Sequence, residues 1–182
     1  MAQIDRLSDV FHKRWTVPIL QSLWENKGSK YVTLIKALGG SPGAIRATLK
    51  DLLRRDWVMK NPGYGHPMRP EYVLTGKGAL VASRCHFLMG ALEDARLSEA
   101  HRSKWAVSVL YCVGEQEQRF SKIKTRLTLV TDRSLVLCLK ALCKSGAVER
   151  RVEDTFPPSV VYSISRRAKG IHKHISALLS VL

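Results

Sequence analysis

"SPGAIRATLKDLLRRDWVMK", residues 41–60, contains the change of hydrophobic period that decides the fold. A serine followed by proline is typical of a helix start, with the serine as N-cap and the proline in the first turn. Apolar residues then recur at the spacing of one helix face, at Ile45, Leu49, Leu52 and Leu53. The closing WVMK is rich in residues that favour a strand. The stretch therefore predicts a helix followed directly by a strand.

The sequence after this helix predicts a hairpin and a closing helix. Residues 61–70, NPGYGHPMRP, are dense in glycine and proline and indicate a loop between strands at 57–60 and 71–74. Thr75 is predicted to cap a final helix that extends to Leu92.

Shorter helical patterns precede the central helix. Apolar residues recur at helical spacing over 4–11, 17–24 and 31–38. We expect Thr16 to cap the second of these helices, which would place Pro18 harmlessly in its first turn. Three to four helices, a hairpin with a long tip and a closing helix follow the order of a winged helix-turn-helix.

The chain repeats itself after ninety residues. KRWTVPILQSLW at 13–24 is followed by SKWAVSVLYCVG at 103–114. Further pairs keep this spacing: Leu49 and Leu139, Leu52 and Leu142, Val58 and Val148, Tyr72 and Tyr162. Repetition at a fixed period indicates a duplicated module. We therefore predict a mainly α protein with small β-hairpins, of the α+β class, with winged helix-turn-helix domains at 1–95 and 96–182.

The second copy predicts the same elements. Thr131 is expected to cap its central helix, with Leu135, Leu139 and Leu142 facing inward. Strands are predicted at 147–151 and 160–164, followed by a closing helix that runs to Leu182. The intervening segment at 90–103 contains no proline, and we expect it to continue as helix between the copies.

Charge is the strongest compositional signal. Lys and Arg total 30 against 15 Asp and Glu, a net charge of +15. This excess favours a polyanion as partner, with nucleic acid first and an anionic membrane second. The sequence lacks a membrane-length apolar run and a signal-peptide pattern, so we expect no membrane association and a cytoplasmic, nucleoid-associated location.

The sequence gives no support for catalysis. No carboxylate pair or cysteine-histidine arrangement stands out, and the four cysteines lack zinc-site spacing. We expect a protein that is not an enzyme and that uses no cofactor and no metal. The cysteines are interpreted as small buried apolar residues.

The motifs KRWTVPIL, LKDLLRRDWV and HPMRPEYVLTGKG resemble the HxlR family of bacterial and archaeal winged-helix transcription regulators. The resemblance covers 10–92 and, more loosely, 101–182, where the wing arginine is replaced by Ser159. It implies dimers that place two recognition helices in successive major grooves of an inverted repeat. A chain with two modules resembles such a dimer fused into one polypeptide, a pseudo-dimer, present either as a monomer or as a homodimer.

Candidate contacts with double-stranded DNA lie on the two central helices and on the first wing. Arginine suits guanine edges, while lysine suits phosphates. Exposed Val136 and Leu137 would contact either thymine methyl groups or a partner surface. The candidates are Ser41, Gly43, Arg46, Ala47, Lys50, Arg54, His66, Arg69, Arg133, Ser134, Val136, Leu137 and Lys140.

The sequence leaves two alternative functions open. Charge alone would also suit a nonspecific nucleoid or RNA-binding protein. A second alternative is a ligand-sensing regulator whose second module serves effector binding or protein contact. For a small-molecule effector, we expect an apolar pocket between the modules, lined by Trp15, Trp24, Trp57 and Trp105.

Overall fold

The computed structural model describes residues 3–61, 71–156 and 158–182. Packing divides the chain into two compact units. The 13–86 unit comprises residues 13–86, and the 87–180 unit comprises residues 87–180 together with the N-terminal residues up to His12. The division of the sequence into 1–95 and 96–182 stays a prediction about the repeat, whereas the boundary in packing lies between His86 and Phe87.

The described residues are mainly helical, with two small antiparallel sheets. The first half of the chain contains a 3-10 turn at Gln3–Arg6, α1 (Leu7–Phe11), α2 (Thr16–Asn26), β1 (Ser29–Lys30), α3 (Tyr31–Leu38), α4 (Pro42–Arg54), β2 (Val58–Asn61), β3 (Glu71–Leu74) and α5 (Gly76–Asp94). The second half contains α6 (Ala106–Glu115), β4 (Gln118–Arg119), α7 (Phe120–Arg126), α8 (Asp132–Ser145), β5 (Val148–Glu153), β6 (Ser159–Ile164), a 3-10 turn at Arg166–Ala168 and α9 (Ile171–Leu179). Of the helices described, none is both long and apolar enough to cross a membrane.

The 13–86 unit is built around α4. Its apolar stripe is confirmed, because Ile45, Leu49 and Leu52 are buried while Leu53 is half-buried. The sheet has the order β1-β3-β2, so β3 is its central strand. The predicted hairpin is present, and the short β1 adds a third strand that the sequence analysis did not predict.

The cap predicted for α2 is wrong. Thr16 is the first residue of the helix, and its buried side-chain oxygen has no hydrogen-bond partner among the described residues. Trp15 occupies the N-cap position without a side-chain cap. Pro18 still falls in the first turn, where its missing N–H group is not needed.

The 87–180 unit repeats this order of elements, and its sheet has the corresponding order β4-β6-β5. Its core includes the N-terminal segment. The Arg6 guanidinium donates to the Leu182 carbonyl at 3.0 Å, and the Thr128 hydroxyl donates to the buried Asp5 carboxylate at 2.6 Å. The first helix of the sequence therefore belongs to the same packed unit as residues 87–180.

The segment at 90–103 is not a continuous helix, contrary to the prediction. Arg96 has a left-handed backbone (φ 56°), and the Leu97 N–H donates to the Leu92 carbonyl at 2.7 Å while the Arg96 N–H donates to Glu93 at 2.8 Å. This pair of bonds is the Schellman motif, in which a buried apolar residue follows the left-handed position. Leu97 is buried, so the helix stops because this side chain enters the core.

The closing helices of the two units begin differently. Gly78 lies in the first turn of α5, where an added Cβ would lie 1.7 Å from the Trp57 carbonyl oxygen, so glycine is required there. The residue ninety positions on is Ala168, which ends a 3-10 turn ahead of α9. The closing helix of this unit begins only after that turn, at Ile171, and it ends at Leu179 rather than at the predicted Leu182.

Candidate nucleic-acid interface

The start of α4 is fixed by two hydrogen bonds. Ser41 is the N-cap, as predicted, and its hydroxyl accepts from the Ala44 N–H at 3.3 Å. The Tyr31 hydroxyl at the start of α3 donates to the Pro42 carbonyl at 2.7 Å. Because Ser41 and Gly43 are exposed, the backbone at this helix start is accessible to a ligand.

The predicted DNA-contacting residues of α4 share its solvent face. Arg46, Ala47, Lys50 and Arg54 are all exposed, and the residues between them are largely buried. Their common face is what a recognition helix requires.

Arg46 lies against an aromatic ring. Its guanidinium is 5.5 Å from the centroid of the Tyr31 ring, a cation–π contact. Burial raises the pKa of Tyr72 on β3, as does neighbouring Tyr31, while the positive charge of Arg46 opposes that rise. Arg46 is thus held at the point where α3, α4 and the hairpin meet.

A buried carboxylate organises the other cations near α4. Asp51, with a side chain only 4% exposed, accepts from Arg54, from Arg55 at 3.0 Å and pairs with Lys13 at 3.5 Å. Burial raises the pKa of Asp51, but the hydrogen bonds from Arg55 and Arg54 outweigh it and hold the pKa below its ordinary value. We call Lys13, Asp51, Arg54 and Arg55 the ion cluster.

The ion cluster changes the role expected for Arg54. Its side chain is 77% exposed, yet its guanidinium is paired with Asp51. The Lys13 ammonium also donates to the Ala47 carbonyl at 3.4 Å, which joins the KRWTVPIL motif to the middle of α4. Arg46 and Lys50 are therefore the better candidates for DNA contact on this helix.

Helix α8 begins in the same way as α4. Its predicted N-cap, Thr131, is confirmed, because its hydroxyl oxygen accepts from the Ser134 N–H at 3.3 Å. Position by position, residues 131–140 have the same sequence of exposed, half-buried and buried side chains as residues 41–50. Arg133, Val136, Leu137 and Lys140 are exposed, and Ser134 is half-buried.

The chemistry of the α8 face differs from that of α4. Val136 and Leu137, in place of Arg46 and Ala47, are 39% and 58% exposed. Asp132 in the first turn pairs with Lys124 of α7 at 3.8 Å. The α8 face is therefore partly apolar, and only Arg133 and Lys140 remain as candidate phosphate contacts.

The second hairpin carries its own counter-charges. Arg151 pairs with Glu117 at 2.6 Å, and Glu153 accepts from Arg119 at 3.2 Å. Hydrogen bonds from Ser159 and then Arg119 lower the pKa of Glu153. Internal pairing thus reduces the positive charge that this hairpin presents to a polyanion. In the first hairpin, His66 and Arg69 lie outside the described residues.

The four tryptophans occupy different environments. Trp57 and Trp105 are buried in the cores of their own units, while Trp24 is 41% exposed. Trp15 is half-buried, with the Arg14 guanidinium 5.0 Å from its ring centroid. The effector pocket predicted from these residues stays a prediction.

The cysteines are mostly core residues, as expected. Cys85, Cys112 and Cys138 are buried, and Cys143 is half-buried. Burial raises the pKa of Cys85 and of Cys112 to about 12. Over the part of the chain that the structure describes, no group of three or more metal-ligating side chains is placed to hold an ion.

Sequence reasoning missed Tyr31, Lys13 and Asp51 as supports of the α4 face. A signal for Asp51 was present, because this acid falls on the buried side of α4 and is followed by two arginines at helical spacing. Tyr31 carried no comparable signal, since its contact with Arg46 depends on the packing of α3 against α4.

Two relatives are HTH-type transcriptional regulators described as uncharacterized. The one from Methanothermobacter thermautotrophicus is 33% identical over 75 residues, which is 41% of this chain and 57% of the relative. YtfH from Escherichia coli is 29% identical over 76 residues, 42% of this chain and 60% of the relative. The chain thus spans somewhat over half the length of each relative.

Solved structures with partial similarity include two regulators. A MarR-family regulator described as putative, from Porphyromonas gingivalis, has a TM-score of 0.43 and 19% identity, covering 47% of this chain and 83% of that chain. The ytfH regulator from Salmonella typhimurium, also described as putative, has a TM-score of 0.40 and 22% identity, covering 52% of this chain and 77% of that chain.

A family match falls on the second module. The sequence pattern of the HxlR-like helix-turn-helix family matches residues 102–181. The more specific resemblance of motifs lies at residues 10–92, whereas the family match falls on the predicted copy whose wing departs most from the family. Residues 102–181 of the chain are thus similar to the HxlR-like helix-turn-helix family.

Proposed function

We propose that the chain is a sequence-specific, DNA-binding transcription regulator that acts as a fused pseudo-dimer of two winged helix-turn-helix modules. In this proposal α4 and α8 enter successive major grooves of an inverted repeat in double-stranded DNA. The observation that carries it is the agreement between residues 41–50 and 131–140 in N-cap, helix start and order of buried and exposed positions.

The charge distribution supports DNA as the partner. The α4 face presents Arg46 and Lys50 beside an accessible helix start, and the net charge of the chain is +15. The relatives' description as HTH-type transcriptional regulators agrees with this role. The expected location is the cytoplasm, at the nucleoid.

The position of α1 supports the pseudo-dimer. The N-terminal segment packs in the 87–180 unit, where the Ser108 hydroxyl donates to the Ile4 carbonyl at 3.4 Å. A module whose first helix completes the other packed unit is what fusion of an intertwined dimer would produce. Sedimentation equilibrium is expected to return either the mass of one chain, 20.5 kDa, or twice that mass.

Selection from a random duplex DNA pool at near-physiological salt tests the function. We expect enrichment of an inverted repeat whose half-sites are about one helical turn apart. Enrichment of a single half-site would contradict the pseudo-dimer and assign DNA reading to α4 alone. Retention of DNA without enrichment would favour the nonspecific nucleoid protein instead.

The exposed Val136 and Leu137 favour a second candidate function for the 87–180 unit. An apolar patch on a helix face suits contact with a partner surface as well as with thymine methyl groups. In that case the unit serves as an effector or protein-contact module, and the selection experiment would return the single half-site.

A further inference from the structure

A groove of about 600 Å³ lies along α8 within the 87–180 unit. Its recessed walls are apolar and almost inaccessible to solvent: Ala100, Ala106, Cys138 and Leu142. Burial raises the pKa of Cys138 to about 11, so the thiol is uncharged at neutral pH. The walls therefore carry no charge that would repel a ligand of either sign.

The rim of this groove is polar. Arg102 pairs with Glu99 at 2.5 Å, which balances its charge locally. Lys144 on α8 is exposed and supplies the net positive charge of the rim. An apolar interior beside a cation suits a ligand with an apolar body and an anionic end.

The corresponding part of the 13–86 unit contains the ion cluster. Each of its four residues has a counterpart ninety positions on, and all four counterparts line the groove: Ser103 for Lys13, Ala141 for Asp51, Lys144 for Arg54 and Ser145 for Arg55. Three charged side chains have thus become small ones. The carboxylate is lost while one cation remains.

The remaining cation is placed to meet a carboxylate at position 141. In α4, Arg54 pairs with Asp51 three residues before it. Lys144 likewise follows Ala141 by three residues in α8, and side chains three residues apart are neighbours on a helix surface. The Ser103 side chain lies close enough to hydrogen-bond with Cys138, which places a hydroxyl at the same groove.

We propose that this groove is a binding site for a small amphipathic carboxylate, whose carboxylate group occupies the place of the missing Asp51 side chain beside Lys144. The apolar body lies over the exposed Ala141, with Ala106, Cys138 and Leu142 recessed beneath it. The inference deepens the proposed function, because it rests on the two modules being copies and assigns the effector of the second one. Since the site flanks α8, its occupation acts directly on the helix proposed to read DNA.

Isothermal titration of the full chain with octanoate tests the site. We expect saturable binding of one octanoate per chain, about tenfold tighter than 1-octanol, because only the carboxylate forms a charge-assisted contact with Lys144. Octylamine carries the opposite charge and is expected to bind more weakly than 1-octanol. Equal affinities for the three probes, or no saturable binding of octanoate, would overturn the proposal.

Two variants locate the binding. Ala141→Asp places a carboxylate where the ligand's would lie, and octanoate affinity is expected to fall at least about tenfold. Lys144→Met is expected to remove the preference for octanoate over 1-octanol, while Lys122→Met, at an exposed lysine outside the groove, keeps it. Unchanged octanoate affinity in Ala141→Asp would place the probe elsewhere and refute the site.

The outcome is separable from that of DNA selection. Octanoate binding blocked by Ala141→Asp, without enrichment of any DNA sequence, would leave the site standing and refute the regulator. Enrichment of an inverted repeat without saturable octanoate binding would refute only the site.

Discussion

Helices α4 and α8 begin and end in the same way and bury the same apolar positions, but their exposed side chains differ in chemistry. Both begin at a hydroxyl N-cap, and both end in a Schellman motif, at Asp56 (φ 57°) and at Gly146 (φ 72°). On the solvent face, however, Val136 stands where α4 has Arg46, and the exposed Ala141 stands where α4 has the buried Asp51. The buried apolar positions maintain the same helix in both units, whereas the charged positions differ and determine what each helix contacts.

The surroundings of the two helices diverge in the same direction. In the 13–86 unit, Tyr31 and Asp51 hold arginines near the α4 face. In the 87–180 unit, Glu117 pairs with Arg151 of the hairpin, and Glu153 of the hairpin pairs with Arg119 of β4. If the proposed function holds, we expect the 13–86 unit to be the principal DNA reader and the 87–180 unit to contribute less to DNA binding.

Replacement of Arg46 is expected to have the largest effect on this comparison. Arg46→Ala should weaken binding to the selected DNA by about ten- to a hundredfold, because a bidentate base contact contributes about 1–3 kcal/mol. The matched change Val136→Ala should weaken it by less than about threefold, since dispersion contacts with a methyl group are small. Fluorescence anisotropy at one fixed salt concentration measures both affinities.

Arg46→Lys serves as the control for charge. Lysine keeps the phosphate attraction but lacks the planar fork of arginine, so discrimination against mutated DNA should fall while the salt dependence is retained. Equal losses for Arg46→Ala and Val136→Ala would show that the two helices read DNA alike, and that the 13–86 unit is not the principal reader.

Local sequence signals made the start and the buried face of both helices predictable. Ser41, Thr131 and the apolar stripes act within one or two helical turns, so a single sequence reveals them. Strands β1 and β4 were missed because each has two residues, too few for alternation, and is defined only by pairing with β3 or β6.

The candidate site was predictable only in part. The exposed face of α4 follows from helical spacing, but the partners of its arginines depend on how α2 and α3 pack against it. The break after Asp94 depends on burial of Leu97 and has no glycine or proline to announce it. The repeat alone could have shown that the residues of the ion cluster differ from their counterparts in the groove, because each pair lies ninety residues apart.

Loss of the buried charge of Asp51 is the next largest expected effect. Asp51→Asn should lower the free energy of unfolding by about 1–2 kcal/mol at pH 7, a value reduced from that of a fully buried pair because Arg54 is largely exposed to solvent. Urea denaturation followed by tryptophan fluorescence measures it. The counterpart Ala141→Asn, at an exposed position, should change stability by less than about 0.5 kcal/mol.

The Asp51 effect has a defined pH dependence. The folded pKa of Asp51 lies below its ordinary value of 3.8, so its stabilising contribution is complete above that pH and is lost as pH falls through the folded pKa. The difference between the original chain and Asp51→Asn should therefore be constant near neutrality and shrink in acid. A difference that grows as the pH falls below 3.8 would contradict the ion cluster.

The smallest expected effect concerns the N-caps that α4 and α8 have in common. Ser41→Ala and Thr131→Ala each remove a cap that accepts from a backbone N–H at 3.3 Å, and each should cost about 1 kcal/mol of unfolding free energy. Ser41→Gly and Thr131→Gly serve as controls, because glycine at an N-cap costs only a few tenths. If α4 is the principal reader, the two alanine variants should lose similar stability, but Ser41→Ala should lose more DNA affinity. Similar losses of affinity as well would mean that α8 contributes equally to DNA binding, and that its apolar face is itself part of the interface.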